Sequence, residues 1–290
     1  MGTRSRFLMR PVGAVIVVAL AAGCSVSPGS TNGDERSTGT GNTGSAPPVV
    51  EPVETPVDKA PLAGKVVVLD PGHQLGNRHH VSEISRPVDA GGFDKDCNTT
   101  GAATNAGYPE ATFTWQVAVA ARRILRRLGA RVILTRGSNS DELWGPCVDE
   151  RGRTGNPGEP GRTADLRLSI HADGVVSTSS TTQTYRGFHV IRPGVLDGWT
   201  DDIAKPSRKL AFAVRDALEA AGFPGSSYQG KNGIDVRTDL GTLNHSDIPT
   251  VMVELANMRD PGDAALVASA KGRAKYARAL VQAIRSFLAP

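Results

Sequence analysis

Beyond about residue 60, apolar positions in this 290-residue chain fall into two alternating rhythms. Short continuous runs bounded by turn residues read as buried strands. Runs with an apolar residue every three or four positions read as amphipathic helices. Lys65–Asp70 predicts a strand of the first kind. Pro109–Leu128 predicts a helix, with Phe113, Val117, Ala120, Ile124 and Leu128 at helical spacing, Pro109 suited to its first position and Gly129 to its stop. Ala130–Thr135 predicts the next strand, and a long Gly/Pro-rich connection leads to Asp165. Leu166–Ile170, Phe188–Ile191 and Thr250–Leu255 predict further strands, and Ser207–Ala221 an amphipathic helix closed by Gly222. Asp260-Pro261 then caps a helical region running to about Leu288. Strand–helix alternation without an internal repeat predicts an α/β fold: a single domain with a mixed, mostly parallel twisted sheet and helices on both faces.

The first 60 residues follow neither rhythm. Arg4, Arg6 and Arg10 precede an apolar run from Val12 to Ala22 that ends in Gly23-Cys24. A positive start, a short apolar run and small residues before a cleavage point read as an export signal, residues 1–23. The run is too short for an ordinary spanning helix, which needs roughly 20 apolar residues. Leu20-Ala21-Ala22-Gly23-Cys24 resembles a lipobox, although its leucine lies one position early, so Cys24 is the expected lipidation site. Ordinary signal peptidase cleavage near Ala21 or Ala22 is the alternative. Residues 24–60 read as a tether: Ser, Thr, Gly, Asn and Pro fill 19 of the 24 positions from Ser25 to Pro48, leaving almost nothing to bury. The folded domain is expected over residues 61–290, long enough for a sizeable core.

Charge adds little. The formal +4 of the whole chain includes three signal arginines, so the exported chain is nearly neutral and nucleic acid is not an expected partner. Arg122, Arg123, Arg126 and Arg127 read as a solvated helix face with a favourable charge at the helix C-terminus. Cys97 and Cys147 remain once Cys24 is set aside, and two cysteines in an exported domain predict a disulfide.

The chemistry lies where apolar runs stop. Val66–Leu69 runs into Asp70-Pro71-Gly72-His73, Leu166–Ile170 into His171, and Ile248–Val253 into Glu254. In open parallel sheets, ligands bind beyond the carboxyl ends of the strands, so these side chains can converge although far apart in sequence. Two histidines and a carboxylate form a common catalytic zinc set. Glu110, in the first turn of the predicted helix, is a further carboxylate candidate. It serves equally well by facing the positive helix N-terminus alone.

His73 in Asp-Pro-Gly-His, Glu110 in Tyr108-Pro109-Glu110, His171 in Ser169-Ile170-His171-Ala172 and Glu254 after Val253 resemble, in order, the zinc-dependent N-acetylmuramoyl-L-alanine amidases of the amidase-3 family. The likeness covers residues 64–288 and includes Leu134-Thr135-Arg136, Arg151 and Asn156. It implies one Zn2+ per chain held by His73, Glu110 and His171, with Glu254 as the catalytic carboxylate. It also implies hydrolysis of the amide between N-acetylmuramic acid and L-alanine in peptidoglycan or muropeptides. Arg151, Asn156 and His245 are the expected substrate contacts. The sequence departs from the family at Gln74-Leu75, at Asp173 (where Asn is commoner) and over Leu255–Asp260. Asp173 reads either as an altered partner of the metal site or as a turn residue.

His79 and His80 read as solvated and His189 as structural, with residues 77–108 forming a rim pinned by Cys97. No Gly-x-Ser-x-Gly elbow supports a serine hydrolase. Two alternatives share the residues: a non-catalytic lipid-anchored zinc- or wall-binding protein, and a zinc peptidase cutting stem peptides. The expected setting is a monomer anchored through Cys24 at the outer face of the cytoplasmic membrane, or secreted or periplasmic if Cys24 is unmodified. No autoinhibitory helix is legible, so constitutive activity is expected.

Overall fold

A computed structural model describes residues 60–176 and 185–289. The expected signal, its Cys24 and tether residues 24–59 lie outside the described residues. In chain order the elements are β1 (Val66–Pro71), α1 (Val81–Ile84), β2 (Pro87–Asp89), β3 (Asp94–Asp96), α2 (Glu110–Arg127), β4 (Arg131–Leu134) and α3 (Val148–Arg153). There follow β5 (Leu166–Asp173), β6 (His189–Pro193), α4 (Ala204–Ala220), β7 (Ile234–Arg237), α5 (Gly241–Asn244), β8 (Thr250–Asn257), α6 (Pro261–Ala268) and α7 (Ala270–Leu288).

Six strands form one sheet in the order β4-β1-β5-β8-β6-β7. The first four are mutually parallel, as the strand–helix alternation predicts. β6 reverses against β8, and β7 runs parallel to β6. Strand parity divides the side chains between two faces. Val67, Leu69, Leu168, Ile170, Val251 and Val253 enter the main core with α2, α4 and α7. Val66, Val68, Ile191 and Met252 point the other way into small apolar clusters. There the cover is α3, α5 and their loops, so helices lie on both faces but unequally.

The polar layer on the second face explains how so thin a cover suffices. Arg167 is fully buried on β5 and donates to the carbonyls of Thr154 and Thr242, tying α3 and α5 to the sheet. Asp70 is also fully buried, between Ser169, Thr135 and Arg151.

Several element limits differ from the pattern-based expectation for identifiable reasons. Pro109 is the extended N-cap of α2 rather than its first residue, and Glu110 opens the helix. The C-terminal helical region breaks at Ser269, whose hydroxyl accepts from the Gly272 amide and caps α7. Asp260 caps α6 through the Asp263 amide, with Pro261 next. β5 and β8 extend past His171 and Glu254, so those two residues lie inside strands rather than after them.

Candidate active site

His73 begins with an unusual backbone. Its φ of 58° is one of two positive values among described non-glycine residues, a conformation that must be held by its surroundings. Arg151 holds it, donating from Nη2 to the His73 carbonyl at 2.7 Å, from Nη1 to Pro71 O at 2.8 Å and from Nη1 to Asp70 at 2.6 Å. Arg136 grips the other side of the turn through Pro71 O and ties it to α2 through Ala111 O. Gly72 is required for room, because a Cβ there would strike the His171 ring. Burial pushes the Asp70 carboxyl up, but the charge of Arg151 and the hydroxyls of Ser169 and Thr135 outweigh it and hold Asp70 well below the carboxylate range.

The turn aims one imidazole edge at a carboxylate. His73 Nδ1 faces the Thr99 carbonyl at 3.1 Å, leaving Nε2 toward Glu110 Oε1 at 3.1 Å. His171 reaches the same oxygen from the opposite side, Nδ1 at 3.0 Å. Glu110 is fixed in turn by the amides of Ala172 (3.1 Å, Oε1) and Ala102 (2.7 Å, Oε2). Gly101 packs against both His73 and Glu110 with a φ of 77°, leaving no space for a side chain. Burial raises the Glu110 proton affinity, and the two imidazoles more than reverse it, so the carboxylate is ionised well below neutral pH.

One ligand atom from each of His73, Glu110 and His171 lies within 4.8 Å of the others. Two imidazole nitrogens and a carboxylate oxygen form a set that fits zinc with a position open for water or substrate. Thr99 supplies the kind of outer hydrogen bond that fixes a metal-binding tautomer.

Glu254 sits alongside. It pairs in strand register with His171 on one side and His189 on the other, on the sheet face that carries the small clusters. Burial raises its proton affinity well above the usual carboxylate range, and the nearby carboxylates of Asp173 and Glu110 add to the effect against Arg237. Asp173 is the last residue of β5 rather than a turn residue, and its side chain accepts from Tyr228 Oη at 2.6 Å. His189 is buried on β6, and its Nδ1 makes no hydrogen bond among the described residues but lies 3.7 Å from the Asp173 carboxylate. A cleft of about 450 Å³ opens in front of His73 and His171, floored by Met252 and Leu240 and edged by Lys95 and Thr242.

Of the three residues expected to contact substrate, Arg151 lines this cleft, whereas Asn156 and His245 line a separate recess. Arg151 spends its donors on Asp70 and on the carbonyls of Pro71, His73, Gly145 and Pro146. Asn156 is buried between His245 O and Asp247. His245 Nε2 donates to the Asp89 carbonyl at 2.8 Å, and the ring packs edge-on against Trp199, outside the cleft. His79 and His80 pair with Asp141 and Glu83 at the surface. Cys97 and Cys147 are joined as a disulfide, linking the end of β3 to the N-cap of α3. Thr99 and Tyr228 had no sequence signal, since neither sits in a periodic run or a motif. Asp70 did have one: it is the acid of the Asp-Pro-Gly-His turn.

Comparison with known proteins agrees with this geometry. A family described as N-acetylmuramoyl-L-alanine amidase matches residues 67–286. The N-acetylmuramoyl-L-alanine amidase Rv3717 of Mycobacterium tuberculosis is 42% identical over 231 residues, covering 79% of this chain and 89% of its own. The crystal structure of the N-acetylmuramyl-L-alanine amidase Ami1 from Mycobacterium smegmatis superposes with a TM-score of 0.69 at 40% identity, covering 78% of this chain and 98% of that one. Ami1 from Mycobacterium abscessus, in its apo form, gives the same score and identity over 78% and 99%. The fold, the ordered site residues and these likenesses agree that the chain belongs to the amidase-3 family of N-acetylmuramoyl-L-alanine amidases.

Proposed function

We propose that this chain hydrolyses the amide joining the lactyl group of N-acetylmuramic acid to L-alanine, using one zinc ion held by His73, Glu110 and His171. The observation that carries the reading is a compact His-Glu-His donor set beside a carboxylate of raised proton affinity. Zinc in such a set supplies Lewis-acid polarisation and lowers the pKa of water toward neutrality. Glu254 takes the proton of the attacking water and returns it to the departing amine, a base and then an acid. A carboxylate of ordinary pKa releases its proton too readily to carry it near pH 7, so the burial of Glu254 suits the task. Thr99 holds the His73 ring, while Arg151, Arg136 and Asp70 hold the turn that carries it.

The same reading places the catalytic domain, residues 61–290, outside the cytoplasmic membrane. Residues 1–23 act as the signal, Cys24 as the lipidated N-terminus and residues 24–60 as the tether of a monomer acting on peptidoglycan or muropeptides. The Leu-Ala-Ala-Gly-Cys segment after three arginines supports this, and no helix of the described residues is long and apolar enough to cross a membrane.

The test is incubation of residues 61–290 with muramyl dipeptide, followed by mass spectrometry. Free dipeptide that disappears with chelator and with Glu254→Gln is the expected result. Intact substrate despite bound zinc would point to a binding protein, and cutting within the peptide to a peptidase; either would overturn the proposal.

A further inference from the structure

α2 and α7 pack side by side on the sheet face opposite His171 and Glu254. Between them they carry nine Lys and Arg, four on α2 and five on α7, and the sole acid of either is the buried Glu110. The modest charge of the whole chain, +4, therefore hides a strongly cationic face. Among the described residues no ion pair involves Arg122, Arg123, Arg126 or Arg127.

Helix energetics do not account for this placement. Arg126 and Arg127 suit the last turn of α2, but Arg122 and Arg123 stand four residues before them, where like charges repel. Lys271 lies in the first turn of α7, the wrong end for the helix dipole, while Arg273 donates to the last carbonyls of α6, Val267 O and Ala268 O, and still borders the groove. Arg123, Arg127 and Arg273 converge instead on an open groove of about 440 Å³ between the helices, with Trp115 and Val119 in its wall. Guanidinium groups around a partly buried tryptophan suit a surface that is anionic outside and apolar beneath.

The chain joins its domain at this face. The Leu62 amide donates to Leu128 O at 2.8 Å, and Ala60 lies against Gly129, directly after Arg126 and Arg127. The segment that leads back toward Cys24 therefore begins beside the cationic groove.

We propose that the α2–α7 face docks the domain on an anionic phospholipid membrane with the catalytic cleft turned away from it. Two observations favour lipid over an anionic wall polymer. The attachment point is on this face, and docking this face on the wall would turn the cleft away from its substrate. The membrane setting rests on the proposed lipid anchor, so the test uses chain that carries no lipid. The attraction acts within about a Debye length and weakens as salt rises.

The experiment is co-sedimentation of the unlipidated chain, residues 25–290, with vesicles of phosphatidylcholine alone or mixed with phosphatidylglycerol. Binding to the anionic vesicles only, falling with salt, is expected. Arg123→Glu with Arg127→Glu should weaken it at least about tenfold. Arg162→Glu with Lys231→Glu makes the same net-charge change on exposed residues outside the two helices and should leave binding intact. Arg123→Gln with Arg127→Gln gives a milder version should the reversal unfold, and thermal melts monitor folding. Equal loss in the two reversals, no vesicle binding, or binding to purified anionic wall polymer without vesicle binding would overturn the proposal. Failure of Cys24 to be acylated in cells would sink the anchor and leave the vesicle result standing.

Discussion

Glu254 and Glu110 are both carboxylates beside the same histidines, and their surroundings drive them apart. Glu110 faces two imidazoles and two amides and stays ionised. Glu254 faces burial and other carboxylates and holds its proton more tightly. Such divergence separates a ligand from a proton carrier. Glu254→Gln should lower kcat by about 10² to 10⁴ with zinc content by elemental analysis unchanged; loss of the metal together with activity would make Glu254 a ligand instead. In the sequence, Glu254 was legible as chemistry from its strand-end position, and the family resemblance set it apart as the catalytic carboxylate. The strand period shows which face a residue occupies and not which charges stand opposite it.

A second prediction at this scale concerns Asp70 and Arg151. Removing the guanidinium with Arg151→Met strands a buried carboxylate and should cost about 3–5 kcal/mol at neutral pH by urea denaturation. Because the folded Asp70 is held below its ordinary value of 3.8, its contribution is complete above that value and fades as pH falls toward the folded one. In the variant, burial dominates and raises the same group, so acid should relieve it. The stability gap between the two proteins should narrow as pH falls; a constant gap would rule out Asp70 as the cause.

At the scale of elements, legibility followed length. Val67–Leu69, Leu166–Ile170 and Val251–Val253 are continuous apolar runs because both faces of those strands are covered, and α2 shows a full helical stripe. β2, β3, β7, α3 and α5 escaped because each has three to six residues, many of them charged or partly exposed. What shapes this region is long-range: the Cys97–Cys147 bridge, Asn98 Nδ2 on Pro146 O, and Val148 N on Cys97 O. The cross-link spans 50 residues, so chain entropy alone gives it about 4 kcal/mol. Cys97→Ser with Cys147→Ser should lose stability of that order. It should also lose zinc affinity, because Thr99, the carbonyl partner of His73, lies two residues beyond the bridge. Normal zinc affinity in a destabilised variant would show that the rim supports the fold but not the ligand.

For the whole molecule, the donor set ties the paired strands β1 and β5 to the start of α2. His73 follows β1, Glu110 opens α2 and His171 lies within β5, and the side chains of all three are nearly buried. A ligand that binds only when those elements are assembled stabilises the folded state by mass action, about 2.7 kcal/mol at a hundredfold excess over Kd. In a domain of this size that corresponds to about 5–10 °C in Tm. Chelation should therefore lower the melting temperature by that amount, added zinc should restore it, and His73→Ala should melt at one temperature with or without metal. The acid–base variant Glu254→Gln should keep the full zinc-dependent shift, since its carboxylate contributes to proton transfer rather than to the set. A shift lost in Glu254→Gln but kept in His73→Ala would exchange the roles assigned to the two residues.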